Sequence, residues 1–178
     1  MFKIVSIFTS KIHIGHIISA HLGTLKNNAT GKASLSDYIL FYLFPLSVGG
    51  GACLFGYRLN DVSVGVMLAA FAILTGFLFN LLVFLFELVD KAKKENPTDT
   101  SEKTALTLKK ILLRETTANI SYGVLIGIFL SVSLVLAMIS NPYWVLAMSI
   151  ISFTLMGNFM FTLLMILKRF IILLEKEL

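Results

Sequence analysis

Thr116 to Leu167, TTANISYGVLIGIFLSVSLVLAMISNPYWVLAMSIISFTLMGNFMFTLLMIL, is a run of 52 residues without an Asp, Glu, Lys or Arg. A soluble domain needs charge on its water-facing surface and has no place for such a run. A helix crossing the hydrocarbon core of a bilayer takes about 20 apolar residues, so the stretch predicts two crossings. The turn between them falls at Ser140-Asn141-Pro142. Pro142 cannot continue the helix before it, and Tyr143-Trp144 suit the interfacial aromatic belt. Lys168-Arg169, just past the run, mark a membrane boundary.

Upstream, Val62 to Phe86 predicts another crossing, and its helical pattern continues through Glu87, Asp90, Lys91, Lys93, Lys94 and Glu95 to Asn96-Pro97. At about 1.5 Å per residue such a helix outruns the roughly 30 Å of hydrocarbon and projects into water. Tyr38 to Tyr57 is uncharged and predicts the remaining crossing. Pro45 removes a backbone donor there and Gly49-Gly50-Gly51 stiffens nothing, so a kinked or unwound hinge is expected. Ser34 and Asp37 have capping-box spacing before it, and Asp99 is placed to cap the helix after the linker.

Residues 2–26 carry a helical period, with Val5, Phe8, Ile12, Gly15, Ile18, Leu22 and Leu25 on one face and Lys3, Ser6, Ser10, His13 and His16 on the other. Two readings fit: a helix lying in the membrane interface, or one docked on the cytoplasmic ends of the spans. The apolar patch Ile4 to Phe8 is too short for a signal peptide, and the N-terminus reads as retained.

The fold expected is therefore an all-α integral membrane protein. It has four transmembrane helices (about 38–57, 62–86, 117–139 and 143–167) in a domain spanning 34–178. Cytoplasmic helical extensions at 87–116 and 168–178 form a collar, and 1–33 holds the N-terminal amphipathic interfacial helix and a loop. The chain has 178 residues, 57% of them hydrophobic, and a formal net charge of +5. The positive charge reads as orientation rather than nucleic-acid binding. Of 15 Lys and Arg, all but Arg58 fall on one side of this layout, which puts both termini and the collar on the cytoplasmic side of the membrane.

Enzymatic constellations are missing from the sequence: there is no Ser/His/acid set, no GxGxxG and no Walker loop, and no cofactor or metal is expected. His13, His16 and His21 do not make a convergent ligand set, and Cys53 stands alone in a span. The absence of charge inside the spans argues against pumps and ion-coupled transporters, but not against a passive pore.

The polar residues in the spans then admit two roles. Asn80, Asn119 and Asn158 are either amide glue between helices, worth about 0.6–2 kcal/mol each, or the lining of a pore. In the second reading Gly123, Gly127 and Thr162 line or gate it, with Pro45, Gly49, Gly50 and Gly51 as its hinge. Gly123 and Gly127, like the series Gly65, Ala69, Ala72 and Gly76, have the small-residue spacing at which helices approach closely, and predict a homo-oligomer. Lys91, Lys93, Lys94, Lys109, Lys110, Arg114, Lys168 and Arg169 are the collar cations available to a phosphate-bearing ligand or a partner, although Glu87/Lys91 and Asp90/Lys94 are also ordinary i,i+4 pairs.

The layout resembles the small membrane effectors of bacterial anti-phage defence operons: four spans with both ends inside, an amphipathic N-terminal helix, uncharged membrane segments and a basic collar. It is most similar to the channel subunit of Hailong-type systems, with the Kiwa membrane subunit and phage RexB-like channels sharing the plan. Leu113-Arg114-Glu115-Thr116-x-x-Asn119-Ile120-Ser121-Tyr122 has the look of a family signature. The resemblance implies a ligand-gated ion channel that opens to depolarise or permeabilise the membrane. It also implies a partner nucleotidyltransferase encoded nearby and a short single-stranded DNA or nucleotide ligand held at the collar. The alternative is a non-conducting anchor that recruits a cytosolic defence partner.

Overall fold

The computed structural model describes residues 14–25, 35–95, 99–139 and 141–175. Every regular element among them is helical. They are α1 (Ile14–Thr24), α2 (Leu35–Tyr38) running through a π-helical turn (Ile39–Leu43) into α3 (Phe44–Leu54), then α4 (Asp61–Lys94), α5 (Thr100–Leu136) and α6 (Pro142–Glu175). Three of these, α4, α5 and α6, are long and apolar enough to cross a membrane. The apolar part of the fourth expected span, Ile39–Leu54, is a shorter helix. It stops before Tyr57 because Gly56 takes φ +85°. Gly56 N–H then bonds the Cys53 carbonyl and Tyr57 N–H the Ala52 carbonyl, which is the Schellman way to close a helix.

The ends of the long helices are written in local chemistry. Asn60 and Ser63 exchange side-chain and backbone hydrogen bonds at the start of α4, and Asp99 with Glu102 does the same for α5. Asn141 Oδ1 accepts from the Tyr143 and Trp144 amides, so the predicted turn caps α6 with Pro142 in its first turn. Trp144 Nε1 donates across that hairpin to the Leu136 carbonyl at 2.8 Å. The Ser34 cap, His13 and the Val5, Phe8 and Ile12 stripe lie outside the described residues.

Packing follows a seven-residue repeat in all three long helices. Val64, Phe71, Leu78, Leu85 and Ala92 are the buried line of α4, and Leu106, Leu113, Ile120, Gly127 and Leu134 that of α5. Ser152, Phe159, Ile166 and Leu173 repeat it on α6. Seven residues is nearly two helical turns, so such a line keeps facing a neighbour that winds around it left-handedly. The repeat runs on into Ala92, Leu106 and Leu173, so the collar is the same bundle carried past the apolar spans.

The helices stand side by side in the order α4, α5, α6, α3, with α1 laid on α5. The central position of α5 shows in its burial: 50% of its most apolar window is inside the chain, against 17% for α4 and 28% for α6. Glycines make the closest approaches. A Cβ on Gly127 would come within 2.1 Å of Thr75 Oγ1, and one on Gly123 within 2.9 Å of a Leu78 methyl. The Gly123/Gly127 face thus receives α4 of its own chain, whereas a Cβ on Gly65 or Gly76 would meet nothing within 4 Å.

Gly127→Ala should therefore destabilise the chain by about 1–3 kcal/mol, because the methyl must displace Thr75. Gly76→Ala should leave it unchanged or up to about 1 kcal/mol more stable, since only helix propensity changes. Denaturant unfolding in micelles, followed by circular dichroism, checks both.

Candidate functional site

Asn119, Asn158, Thr162 and several serines of the apolar helices turn inside the chain. Asn119, one turn into the uncharged part of α5, is wholly buried, as is His21 on α1. His21 Nδ1 lies 2.9 Å from Asn119 Oδ1. An amide oxygen only accepts, so that nitrogen carries the proton and the imidazole donates. Thr24 Oγ1 stands 2.7 Å from the His21 carbonyl and 2.8 Å from the same Asn119 oxygen. The His21 ring stacks on Tyr122 at 3.8 Å, nearly parallel, and meets the Phe41 ring edge-on at 5.9 Å. Among the described residues, His21 Nε2 and Asn119 Nδ2 have no partner.

This junction decides how α1 sits. Of the expected apolar stripe, α1 buries Leu25 and half-buries Leu22, but it also buries His21 against α5 and leaves Ile18 37% exposed. A buried imidazole without a hydrogen bond costs about 1–3 kcal/mol, more than exposing part of one isoleucine.

Asn158 closes a second gap. Pro45 has no N–H, so the carbonyl four residues before it, Phe41, loses its helical partner. The Phe44 amide reaches back five residues to Ile39 and produces the π-helical turn. Asn158 Nδ2 donates to the freed Phe41 carbonyl at 2.8 Å. The Pro45 ring rests on Gly157, where a Cβ would be 2.9 Å from its own Cβ. The predicted irregularity thus precedes Pro45, while Gly49, Gly50 and Gly51 lie within α3. Gly49 lets α6 approach, since a Cβ there would meet Thr154 Oγ1 at 2.7 Å.

Thr162 is buried and donates to the Asn158 carbonyl, and Ser133 bonds Ser152 between α5 and α6 at 2.9 Å. Of the six residues expected to line or gate a pore, Asn119, Gly123, Gly127, Asn158 and Thr162 are thus buried against their own chain. Asn80 is not. It is exposed on the outer face of α4 in line with Gly65, Ala69, Ala72 and Gly76, all exposed too.

At the collar, Arg169 on α6 ion-pairs with Glu115 on α5 and donates to the Thr24 carbonyl of α1 at 3.0 Å, tying three helices together. Lys109 pairs with Glu95 across the α4–α5 connection and Lys94 with Asp90 along α4. Lys91, Lys93, Lys110, Arg114 and Lys168 are exposed. Four partners escaped the sequence reading: His21, Tyr122, the Phe41 carbonyl and Glu115. The available signals were the i−4 carbonyl that any intrahelical proline frees, and the placing of Glu115 and Asn119 one turn apart on the same face of α5. Comparison with family models, curated proteins and solved structures finds no match.

Burial holds the His21 pKa down to about 4; the Asn119 bond opposes that shift and the Arg169 charge adds to it. The unfolded or undocked imidazole titrates near 6.5 and so binds more protons than the docked one between those values. Docking of α1 is accordingly strongest above pH 6.5 and weakens as the pH falls toward 4. Hydrogen exchange of α1 amides in micelles should accelerate at least tenfold from pH 7 to 4.5, after correction for the intrinsic rate. In His21→Phe that pH dependence should disappear.

Proposed function

We propose that this chain is a subunit of a homo-oligomeric, ligand-gated pore in a bacterial inner membrane, with both termini cytoplasmic and α2–α3 as the fourth crossing. Asn80 is the observation that carries the oligomer. It sits at span depth on an edge helix, exposed and with no side-chain hydrogen bond among the described residues. An amide facing hydrocarbon is costly, and the small residues above it allow a second copy's backbone to come close enough to accept. Copies meeting along this face place a ring of Asn80 amides at the inner part of the assembly.

The fourth crossing is supported by packing. Phe41 contacts Asn158, Gly49 faces Thr154, and the Leu59 amide bonds Ser149, so α3 runs antiparallel along the apolar middle of α6. The exposed collar cations are the place for a gating ligand. The defence setting, in which opening depolarises or permeabilises the cell, rests on the layout's resemblance to Hailong-type effectors, as do a nucleotidyltransferase partner and an oligonucleotide or nucleotide ligand.

A second reading is favoured by the closure of the other polar residues within one chain. A non-conducting anchor needs no lining, and its collar lysines would recruit a cytosolic partner. Ion flux from proteoliposomes separates the two. For the pore, wild type leaks and Asn80→Leu lowers flux at least tenfold while the melting temperature holds. Asn119→Leu strands His21 and should lower the melting temperature first. Tight vesicles with correctly inserted wild type under all conditions would leave the anchor.

A further inference from the structure

A groove of about 560 Å³ opens between α1 and α5 beside the collar. It exists because Ala20 and Gly23 on α1 face Ala118 on α5, and none of these has the bulk to fill the space. Its polar wall is asymmetric in charge. Glu115, the carboxylate on that wall, is already engaged by Arg169. The Thr117 hydroxyl is spent on the Leu113 carbonyl and the Thr24 hydroxyl on His21 and Asn119. Of the lining groups, the Arg114 guanidinium, the His16 ring and the hydroxyls of Ser19 and Ser121 have no partner among the described residues.

Arg114 and Ser121 are seven residues apart on α5, about 10 Å along the helix axis. The groove therefore has a cationic mouth at the collar and a hydroxyl-bearing, otherwise apolar depth where the uncharged run begins. A guanidinium offers paired donors matched to two phosphate oxygens, and hydroxyls serve the remaining ones. We propose that this groove binds a phosphate ester, with its phosphate at Arg114 and its body lying over Ala118 and Gly23 toward Ser121. Occupancy bridges α1 and α5 and so favours the docked α1 over an undocked one. The site gives the ligand-gated reading a place and a chemistry. It rests on that reading only for the consequence of binding, not for binding itself.

The phosphate has two possible sources, an anionic lipid headgroup or a soluble ester, and one experiment distinguishes them. Delipidated protein in micelles is titrated with dioctanoyl phosphatidylglycerol and, separately, with adenosine monophosphate, and complexes are counted by native mass spectrometry. Arg114→Gln should weaken binding at least tenfold. Gly23→Leu should block it, and because a Cβ at Gly23 meets nothing within 4 Å the variant should melt like wild type without ligand. Lys103→Gln, removing an exposed α5 cation outside the groove, should change nothing. Binding of the lipid alone assigns a headgroup, and binding of the nucleotide assigns a soluble ester. The proposal is overturned if neither probe binds, if Gly23→Leu binds like wild type, or if Lys103→Gln weakens binding as much as Arg114→Gln. The readout is binding rather than flux, so it can fail while the pore stands, and the reverse.

Discussion

Hydrocarbon offers no hydrogen bonds, and most of this structure follows from that. A proline inside an apolar helix strands a carbonyl that water would otherwise satisfy. Here Pro45 strands Phe41, and α6 supplies the cure as Gly157-Asn158: the glycine admits the proline ring and the amide takes the carbonyl. The same rule accounts for the placement of His21, Thr116, Asn119, Ser133, Ser149, Ser152 and Thr162, all buried. These polar side chains share the interior with the apolar heptad lines, while many large apolar side chains such as Phe77, Phe86 and Leu164 are exposed.

Those polar contacts are short, so the helices must come close, and this is where the small residues act. Gly127 under Thr75, Gly123 under Leu78 and Gly49 under Thr154 remove the side chains that would hold the backbones apart. Between these points the seven-residue lines of α4, α5 and α6 keep the contact continuous from the apolar middle to the collar. A pair such as Phe71 and Phe159, edge to face at 5.4 Å, joins α4 to α6 beside the central helix. Small residues and heptad spacing thus serve the internal fold on α5, while a similar series on α4 is left facing outward.

Much of this plan was legible in the sequence, for physical reasons that also mark the limit. The long helices, the Asn141-Pro142 turn, the Asp99 cap and the charged ends declare themselves, because charge and proline are scarce in such a chain and each has one local meaning. Inward and outward faces do not declare themselves. Phe77 is 64% exposed and Leu78 is 1% exposed, yet both are simply apolar, and lipid asks of a side chain nearly what a core asks. The buried repeat is therefore hidden under uniform hydrophobicity. Asn119 showed as a polar oddity, but its partner His21 lies 98 residues away and is invisible to any local pattern. Asn158 answers a backbone carbonyl, which no side-chain pattern records. The apolar stripe on α1 marked Leu25 as buried but not His21, whose burial depends on the distant Asn119 amide.

Where α1 meets the collar, the separate contacts form one chain. Arg169 holds Glu115 and the Thr24 carbonyl, Thr24 touches Asn119, and Asn119 holds His21, which stacks on Tyr122 and meets Phe41. Phe41 in turn offers its carbonyl to Asn158 beside the proline-bearing helix. Hydrogen bonds and ring contacts, part-buried at Arg169 and Thr24 and buried at His21 and Asn119, thus run from the collar to the π-helical turn before Pro45. The π-helical turn is also where a helix can most cheaply regain or lose a residue of register, because its backbone bonds are already shared unevenly. If α1 leaves α5, Asn119 loses the acceptance of two donors at once and Phe41 loses the ring it packs against. The docked α1 and the π-helical segment before Pro45 thus share Phe41, whose ring meets His21 and whose carbonyl accepts from Asn158.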